Sequence, residues 1–148
     1  MITEFKHWIV ENLQSQAGKT VVITGANSGI GFYTALALAD VGAHVILAGR
    51  SEEKIEKAIE QIKNESVSGT IEPGIVDLAR LASVRSFAES FKENHSQLDI
   101  LINNAGVMMP PESKTEDGFE LQFGVNFLSH FALTGMLYAC KEGTDHGF

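Results

Sequence analysis

The stretch KTVVITGANSGIG, residues 19–31, decides the fold of this chain. Its first half is rich in β-branched residues and predicts a buried strand over residues 19–24. Gly25, Gly29 and Gly31 follow, and a helix is predicted from Gly29 to Asp40. A glycine turn between a strand and a helix suits a phosphate, because helix N-terminal N–H groups are free and glycine lets the phosphate approach the backbone. The spacing is G-x-x-x-G-x-G rather than G-x-G-x-x-G, and a purely structural turn is the alternative.

Strand and helix patterns alternate along the rest of the chain. Further strands are predicted at residues 44–48, 70–76 and 98–103, and further helices from Ser51, from Ser83 and over residues 118–141. Pro73 predicts an edge position for the third strand, since proline cannot donate to a sheet. Ser51 and Ser83 are the predicted N-caps. Together these elements predict an α/β Rossmann-type doubly wound parallel sheet, apparently truncated after its fourth strand and the following helix.

Composition favours one soluble domain. The chain has 148 residues and a net charge of −8, which opposes binding to nucleic acid. Cys140 is the only cysteine, so there is no internal disulfide and a cytoplasmic location is expected. We divide the chain into an N-terminal helical extension (1–18), a dinucleotide-binding domain (19–141) and a tail (142–148).

Neither long apolar segment predicts a membrane span. Phe5, Trp8 and Ile9 share one face of a short N-terminal helix expected to dock on the domain. Residues 121–140 carry no formal charge, but their amide, hydroxyl and imidazole groups favour a buried helix. No metal site is predicted, because His130 has no second histidine or acid at ligand spacing; we interpret it as a hydrogen-bonded core or interface histidine.

Four motifs in order resemble the short-chain dehydrogenase/reductase family over about residues 19–135. The motifs are TGANSGIG, Asp77-Leu78, the stretch NNAG at residues 103–106, and Asn126. The stretch from residue 103 to 134 looks most similar to retinol-dehydrogenase-like and WW-domain-oxidoreductase-like members. The resemblance implies an oxidoreductase that transfers hydride between a nicotinamide dinucleotide and an alcohol or carbonyl substrate.

The resemblance also implies a role for each matching position. The phosphate loop and its flank would comprise Gly25, Ser28, Gly29, Ile30 and Gly31. The adenine would lie against Asp77 and Leu78, and its ribose would border Asn104, Ala105 and Gly106. Asn126 matches the asparagine of the family's proton relay, so it is the one catalytic residue implied. For Asp77 taken alone, a helix-entry cap is the alternative.

Arg50 bears on the choice of cofactor. In a dinucleotide fold an acid at the end of the second strand binds the ribose 2′-hydroxyl of NAD, whereas arginine there suits the 2′-phosphate of NADP. This chain reads Ala48-Gly49-Arg50, and guanidinium is a good bidentate partner for phosphate. NADP is therefore favoured over NAD; the alternative is a solvated arginine at the start of a helix.

The family's proton donor is not found in this sequence. Members use a Tyr-x-x-x-Lys motif and an upstream serine, but Tyr33 is followed four residues later by Ala37. Tyr138 and Lys141 are one residue too close, so we interpret Tyr138 as a core or interface aromatic. Two functions therefore stay open: an NADP-dependent oxidoreductase of which this is the N-terminal part, or a truncated non-catalytic module that binds a dinucleotide or a partner.

The predicted fourth strand has a physical consequence. If it forms an edge, Ile100, Leu101 and Ile102 lie along an unpaired backbone, which is a site for pairing with another chain. We therefore expect self-association or marginal stability of this chain made alone.

Overall fold

The computed structural model describes residues 2–65 and 67–141. The strands are β1 (Thr20–Thr24), β2 (His44–Gly49), β3 (Thr70–Ile75) and β4 (Ile100–Ile102). The helices are α1 (Ile2–Asn12), α2 (Gly29–Asp40), α3 (Glu52–Asn64), α4 (Leu81–Asn94), α5 (Leu121–Phe123), a π-helical segment (Gly124–Leu128) and α6 (Ser129–Lys141). The predicted tail, residues 142–148, lies outside the described residues.

The four strands form one parallel sheet in the order β3-β2-β1-β4. β1 pairs with β2 on one side and with β4 on the other, so the strand order reverses beside β1. This is the doubly wound Rossmann-type arrangement predicted from the sequence. The prediction of an edge position for the Pro73 strand is also confirmed. The reversal opens a crevice at the carboxyl ends of β1 and β4, where such sheets bind ligands.

Both faces of the sheet are covered because its central strands are apolar on both sides. Val21 and Ile23 of β1 face a core completed by α2 and α3, while Val22 faces a second core completed by α4 and α6. Each of these three side chains is fully buried. Successive side chains of a strand point to opposite faces, so an uninterrupted apolar strand builds both layers at once.

Helix α1 docks on the domain as expected. Ile9 is fully buried, and the ring of Phe5 meets that of Tyr33 edge-on at 5.5 Å. Lys6 pairs with Asp40 at the end of α2, with 3.3 Å between Nζ and Oδ1. The predicted apolar face of α1 is thus only partly buried, because Trp8 is 51% exposed.

Two predicted helix starts are wrong. α4 begins at Leu81, and the Ser83 hydroxyl accepts a hydrogen bond from the Asp77 backbone N–H at 2.9 Å instead of capping the helix. Gly118 has φ +88°, outside the helical region, so the last helical stretch begins at Leu121. Glu120 caps it by accepting from two backbone N–H groups. These bonds, to Phe123 first and then to Gln122, lower the pKa of the Glu120 carboxyl below its usual value.

The last helical stretch is buried on one face only. Leu133 and Leu137 lie in the core, but Phe131 is 70% exposed and Tyr138 is 57% exposed. The prediction of a buried helix is therefore correct for one face of the helix only, and a core position for Tyr138 is excluded. Within residues 2–65 and 67–141, no helix is both long and apolar enough to cross a membrane.

Candidate functional site

A cleft of about 360 Å³ lies at the carboxyl ends of the strands. Every strand contributes through the segment that follows it, so the topology assembles the cleft from positions far apart in sequence. It is lined by Gly25, Asn27, Ser28, Ala48, Gly49, Arg50, Val76, Asp77, Leu78, Ala79, Asn104, Ala105, Gly106, Val107, Leu121 and Val125.

Most of the residues singled out in the sequence line this cleft. Those brought together are Gly25, Ser28, Arg50, Asp77, Leu78, Asn104, Ala105 and Gly106; those outside its lining are Gly29, Ile30, Gly31 and Asn126. Lining residues that the sequence did not single out are mostly direct neighbours of predicted ones. Three of them come from the segment after β4: Val107, Leu121 and Val125. No local motif in the sequence marks these three positions.

The glycine turn is shaped by close packing against the segment after β4. Gly25 has φ +67°, and a Cβ there would lie 2.8 Å from the Ala105 Cα. A Cβ on Gly31 would lie 2.5 Å from both the Gly25 carbonyl oxygen and the Asn104 Nδ2. These two glycines therefore let the start of α2, the turn and the β4 segment come together without an intervening side chain.

The N-terminus of α2 retains donors for an anion. Ser28 is its N-cap residue, with extended backbone, and its side chain makes no capping hydrogen bond. The first N–H groups of a helix have no acceptor within the helix, and the helix dipole adds partial positive charge there. The end of α2 that borders the cleft therefore fits a pyrophosphate.

A buried hydroxyl joins the two sides of the crevice. Thr24 Oγ1, at the end of β1, accepts the backbone N–H groups of Asn104 and Ala105, each at 3.0 Å. The Asn104 side chain returns the contact by donating from Nδ2 to the carbonyl oxygens of Thr24 and Gly25, at 3.0 and 3.2 Å. Thr24 is fully buried. Asn104 is therefore placed to hold the turn as well as to line the cleft.

His130 completes this network. Its Nδ1 lies 3.0 Å from the Asn126 carbonyl oxygen, which can only accept, so Nδ1 carries the proton. Its Nε2 lies 2.9 Å from Thr24 Oγ1. The hydroxyl already accepts two N–H groups, so it donates its own proton to Nε2. The interpretation of His130 as a hydrogen-bonded core residue is confirmed, since it is 5% exposed.

Asn126 lies in the π-helical segment and holds the loop after β4. Its side chain accepts from the Val107 N–H and donates to the Val107 carbonyl oxygen, both at 2.8 Å. π-helical turns are frequent at functional sites. Here the wider turn accompanies a side chain that binds the backbone next to Gly106, at the rim of the cleft.

The charges of the cleft come from two side chains on neighbouring strands. Arg50 follows β2, is exposed, and has no ion-pair partner among the described residues. Asp77 follows β3 and is half-buried; its Oδ1 accepts the Ala79 N–H at 2.9 Å, which closes a local turn. One free cation and a helix N-terminus therefore border the same cavity.

Comparison with known proteins places these motifs in a family. The family model described as short chain dehydrogenase matches residues 19–146. Human retinol dehydrogenase 13 is 53% identical over 120 residues, 81% of this chain and 36% of that protein. Human polyprenol dehydrogenase is 45% identical over 130 residues, 87% of this chain and 39% of that protein.

A solved structure agrees with these sequence matches. L-sorbose reductase from Gluconobacter frateurii, complexed with NADPH and L-sorbose, superimposes with a TM-score of 0.71 at 27% identity, covering 86% of this chain and 49% of that one. The chain thus spans well under half the length of the curated relatives it matches, and about half of this solved structure.

Proposed function

The chain belongs to the short chain dehydrogenase family, and from this premise we propose that it forms the cofactor-binding part of an oxidoreductase using NADP. The observation that carries the proposal is the placement of the unpaired Arg50 in one cleft with the α2 N-terminus. A cavity with a guanidinium group and free backbone donors fits a ligand bearing a pyrophosphate and a further phosphate.

Each part of the cofactor has matching residues. The α2 N-terminus would bind the pyrophosphate, and Arg50 would bind the 2′-phosphate that distinguishes NADP from NAD. Asp77 and Leu78 would contact the adenine, and the backbone of Asn104 to Gly106 would border its ribose. When bound, NADP supplies or accepts the hydride.

We propose a lipophilic alcohol or the matching carbonyl compound as the substrate of the whole protein. The support is the names of the relatives, a retinol and a polyprenol dehydrogenase. In this proposal Asn126 holds the loop after β4 and belongs to the proton relay.

A non-catalytic dinucleotide- or partner-binding module is the second candidate. The 148 residues themselves contain no Tyr-x-x-x-Lys, so this candidate needs nothing beyond the cleft.

Arg50→Gln tests the preference for NADP. We expect the variant to bind adenosine 2′,5′-bisphosphate about 10- to 100-fold more weakly, because a charge-assisted hydrogen bond contributes roughly 1.5–3 kcal/mol. Binding of 5′-AMP, which lacks the 2′-phosphate, is expected to stay unchanged. Isothermal titration calorimetry of the full 148-residue chain measures both, and these half-ligands need only the adenosine side of the cleft.

Arg85→Gln is the matched control, since Arg85 is an exposed arginine on α4 that does not line the cleft. Equal weakening of both nucleotides by Arg50→Gln, or no change in either, contradicts the role of Arg50. Failure of the unmodified chain to bind either nucleotide contradicts the cofactor site itself.

We also propose that the chain self-associates through its β4 edge when purified by itself. The outer side of β4 has no paired strand among the described residues, and beside it lies an apolar groove lined by Phe5, Ile30, Ile100 and Ile102, among others. Ile30 is 81% exposed.

Ile30→Lys and Ile102→Lys each place a positive charge in this groove. Each is expected to shift the mass measured by light scattering towards that of the monomer. If light scattering shows that the unmodified chain is already a monodisperse monomer, the proposal is overturned.

A further inference from the structure

Three ionisable side chains meet at the end of the sheet remote from the cleft. His44 opens β2, Glu72 lies in β3, and His95 directly follows α4. One potential ligand atom from each lies within 4.8 Å of the other two. The residues are 28 and 23 positions apart, so no motif in the sequence marks them, and the expectation of no metal-ligand cluster overlooked them.

The strand register explains why they converge. Ile46 of β2 pairs with Glu72 of β3, and Ile46 belongs to the core that packs against α4. His44 is two residues before Ile46, so it points to the same face of the sheet. The end of α4 then brings His95 to that face. The backbone thereby fixes the positions of all three side chains.

The imidazoles share the Glu72 carboxylate. His95 Nε2 lies 2.8 Å from Oε1, and His44 Nε2 lies 3.5 Å from Oε2. Tetrahedral zinc with ligands at about 2.0 Å separates its ligand atoms by about 3.3 Å. The two histidine–glutamate distances bracket that value, and all three ligand atoms lie within 4.8 Å of one another. The three side chains are therefore close enough to converge on one cation by rotation of the rings and the carboxylate.

The other ring nitrogens are already held in the manner of metal-binding histidines. His95 Nδ1 lies 3.2 Å from the Phe91 carbonyl oxygen, and His44 Nδ1 lies 2.6 Å from the Thr70 hydroxyl. A histidine that binds a metal through one nitrogen usually donates from the other to such an outer partner, which orients the ring.

The contact between His95 and Glu72 can be made in two ways. Nε2 and the carboxylate oxygen are 2.8 Å apart, and two lone pairs at that distance repel each other, so a ring proton or a metal cation lies between them. With a metal cation on Nε2, the ring proton lies on Nδ1 and is donated to the Phe91 carbonyl oxygen.

We propose that His44, Glu72 and His95 form a zinc site with a fourth position open to solvent. Two imidazoles and one carboxylate are ligands typical of zinc, and three protein ligands leave one position for water. Glu72 and His95 line a groove of about 670 Å³, through which the ion and its water can enter. The side chains of His95 and Glu72 are 17% and 39% exposed, so the site is reachable.

Zinc here would fasten the edge strand β3 to β2 and to the end of α4. The site lies at the opposite end of β2 from Arg50, about 20 Å away at 3.3 Å per residue. Zinc is therefore expected to stabilise the fold without touching the cofactor cleft. The inference does not rest on the proposed NADP site.

The test is zinc binding by the full chain after removal of metals with a chelator. At neutral pH we expect calorimetry to show one zinc per chain, and Co²⁺ in its place to give the visible absorption of a tetrahedral site. Saturating zinc is expected to raise Tm by roughly 5–10 °C. Glu72→Gln and His95→Gln should each weaken binding at least about 100-fold, and Thr70→Val about 10-fold.

The controls address other zinc ligands and unfolding. His7→Gln removes an exposed histidine that pairs with Glu11 four residues later, and Cys140→Ser with His146→Gln removes the cysteine and the histidine near the end of the sequence. These variants are expected to bind zinc like the unmodified chain. Tm values without metal show whether the site variants are folded. Undetectable binding, or binding lost only in the control variants, overturns the proposal and leaves a proton between His95 and Glu72.

Discussion

Replacing Thr24 with valine is expected to lower the free energy of unfolding by about 3–5 kcal/mol. Valine has nearly the same shape, but it lacks the hydroxyl that accepts the N–H groups of Asn104 and Ala105 and contacts His130. The Asn104 N–H keeps a second acceptor, the Ile102 carbonyl oxygen at 3.0 Å, but the Ala105 N–H and His130 Nε2 lose their partner. An unsatisfied buried polar group costs roughly 1–3 kcal/mol, and this substitution leaves two. Urea denaturation followed by circular dichroism measures the loss.

Thr34→Val is the matched control for Thr24→Val. The Thr34 hydroxyl donates to the Ile30 carbonyl oxygen within α2, so its removal leaves no donor unpaired. A change of at most about 0.5 kcal/mol is expected. Thr24→Ser, which keeps the hydroxyl, should recover most of the stability lost in Thr24→Val. Equal stabilities for the two valine variants would show that the Thr24 network contributes nothing.

Replacing Gly31 with alanine is expected to cost about 3 kcal/mol and to abolish nucleotide binding. The added Cβ would lie 2.5 Å from the Gly25 carbonyl oxygen and from Asn104 Nδ2, and 3.0 Å from the Ala26 Cα. Two of these three atoms are backbone and cannot rotate away, so α2 must move off the turn. Overpacking of this kind costs roughly 1–3 kcal/mol, occasionally more. Urea denaturation and calorimetry with NADPH measure the two effects.

Gly135→Ala separates this clash from a general effect of replacing glycine. Gly135 lies in α6, and nothing lies within 4 Å of the position its Cβ would take. Alanine is about 1 kcal/mol better than glycine inside a helix, so this variant should be equally or more stable. If Gly31→Ala is as stable as Gly135→Ala and still binds NADPH, the proposal that Gly31 is required for the close packing of α2 against the turn is contradicted.

Elements that rest on local chemistry were predictable. The apolar strands, the glycine turn and the helix bounds of α2 follow from side-chain pattern and backbone freedom within a few residues. Helix starts were less predictable where a side chain had a competing partner. Ser83 is a good capping residue, yet its hydroxyl accepts the Asp77 N–H, a contact across the turn that only the packed β3–α4 segment creates.

In the candidate cleft, too, some residues could be predicted from the local sequence and others could not. Arg50 and Asp77 could be named in advance because each lies within two residues of the end of a predicted strand, and the carboxyl ends of parallel strands lie at the same end of the sheet. Thr24 reads as an ordinary strand residue in the sequence. Its role depends on donors about 80 residues away, which meet it only because β4 pairs with β1.

The sequence alone determined the class of fold, the family and the turn that faces the cleft, because these depend on periodicity and on glycines at fixed spacing. The tertiary structure alone decided how Thr24, His130 and Asn104 brace that turn, and how His44, Glu72 and His95 meet at the end of the sheet remote from the cleft. Both clusters join residues from separate strands and helices. Their contacts depend on strand order and register, which are set by the packing of the whole sheet rather than by any local stretch of chain.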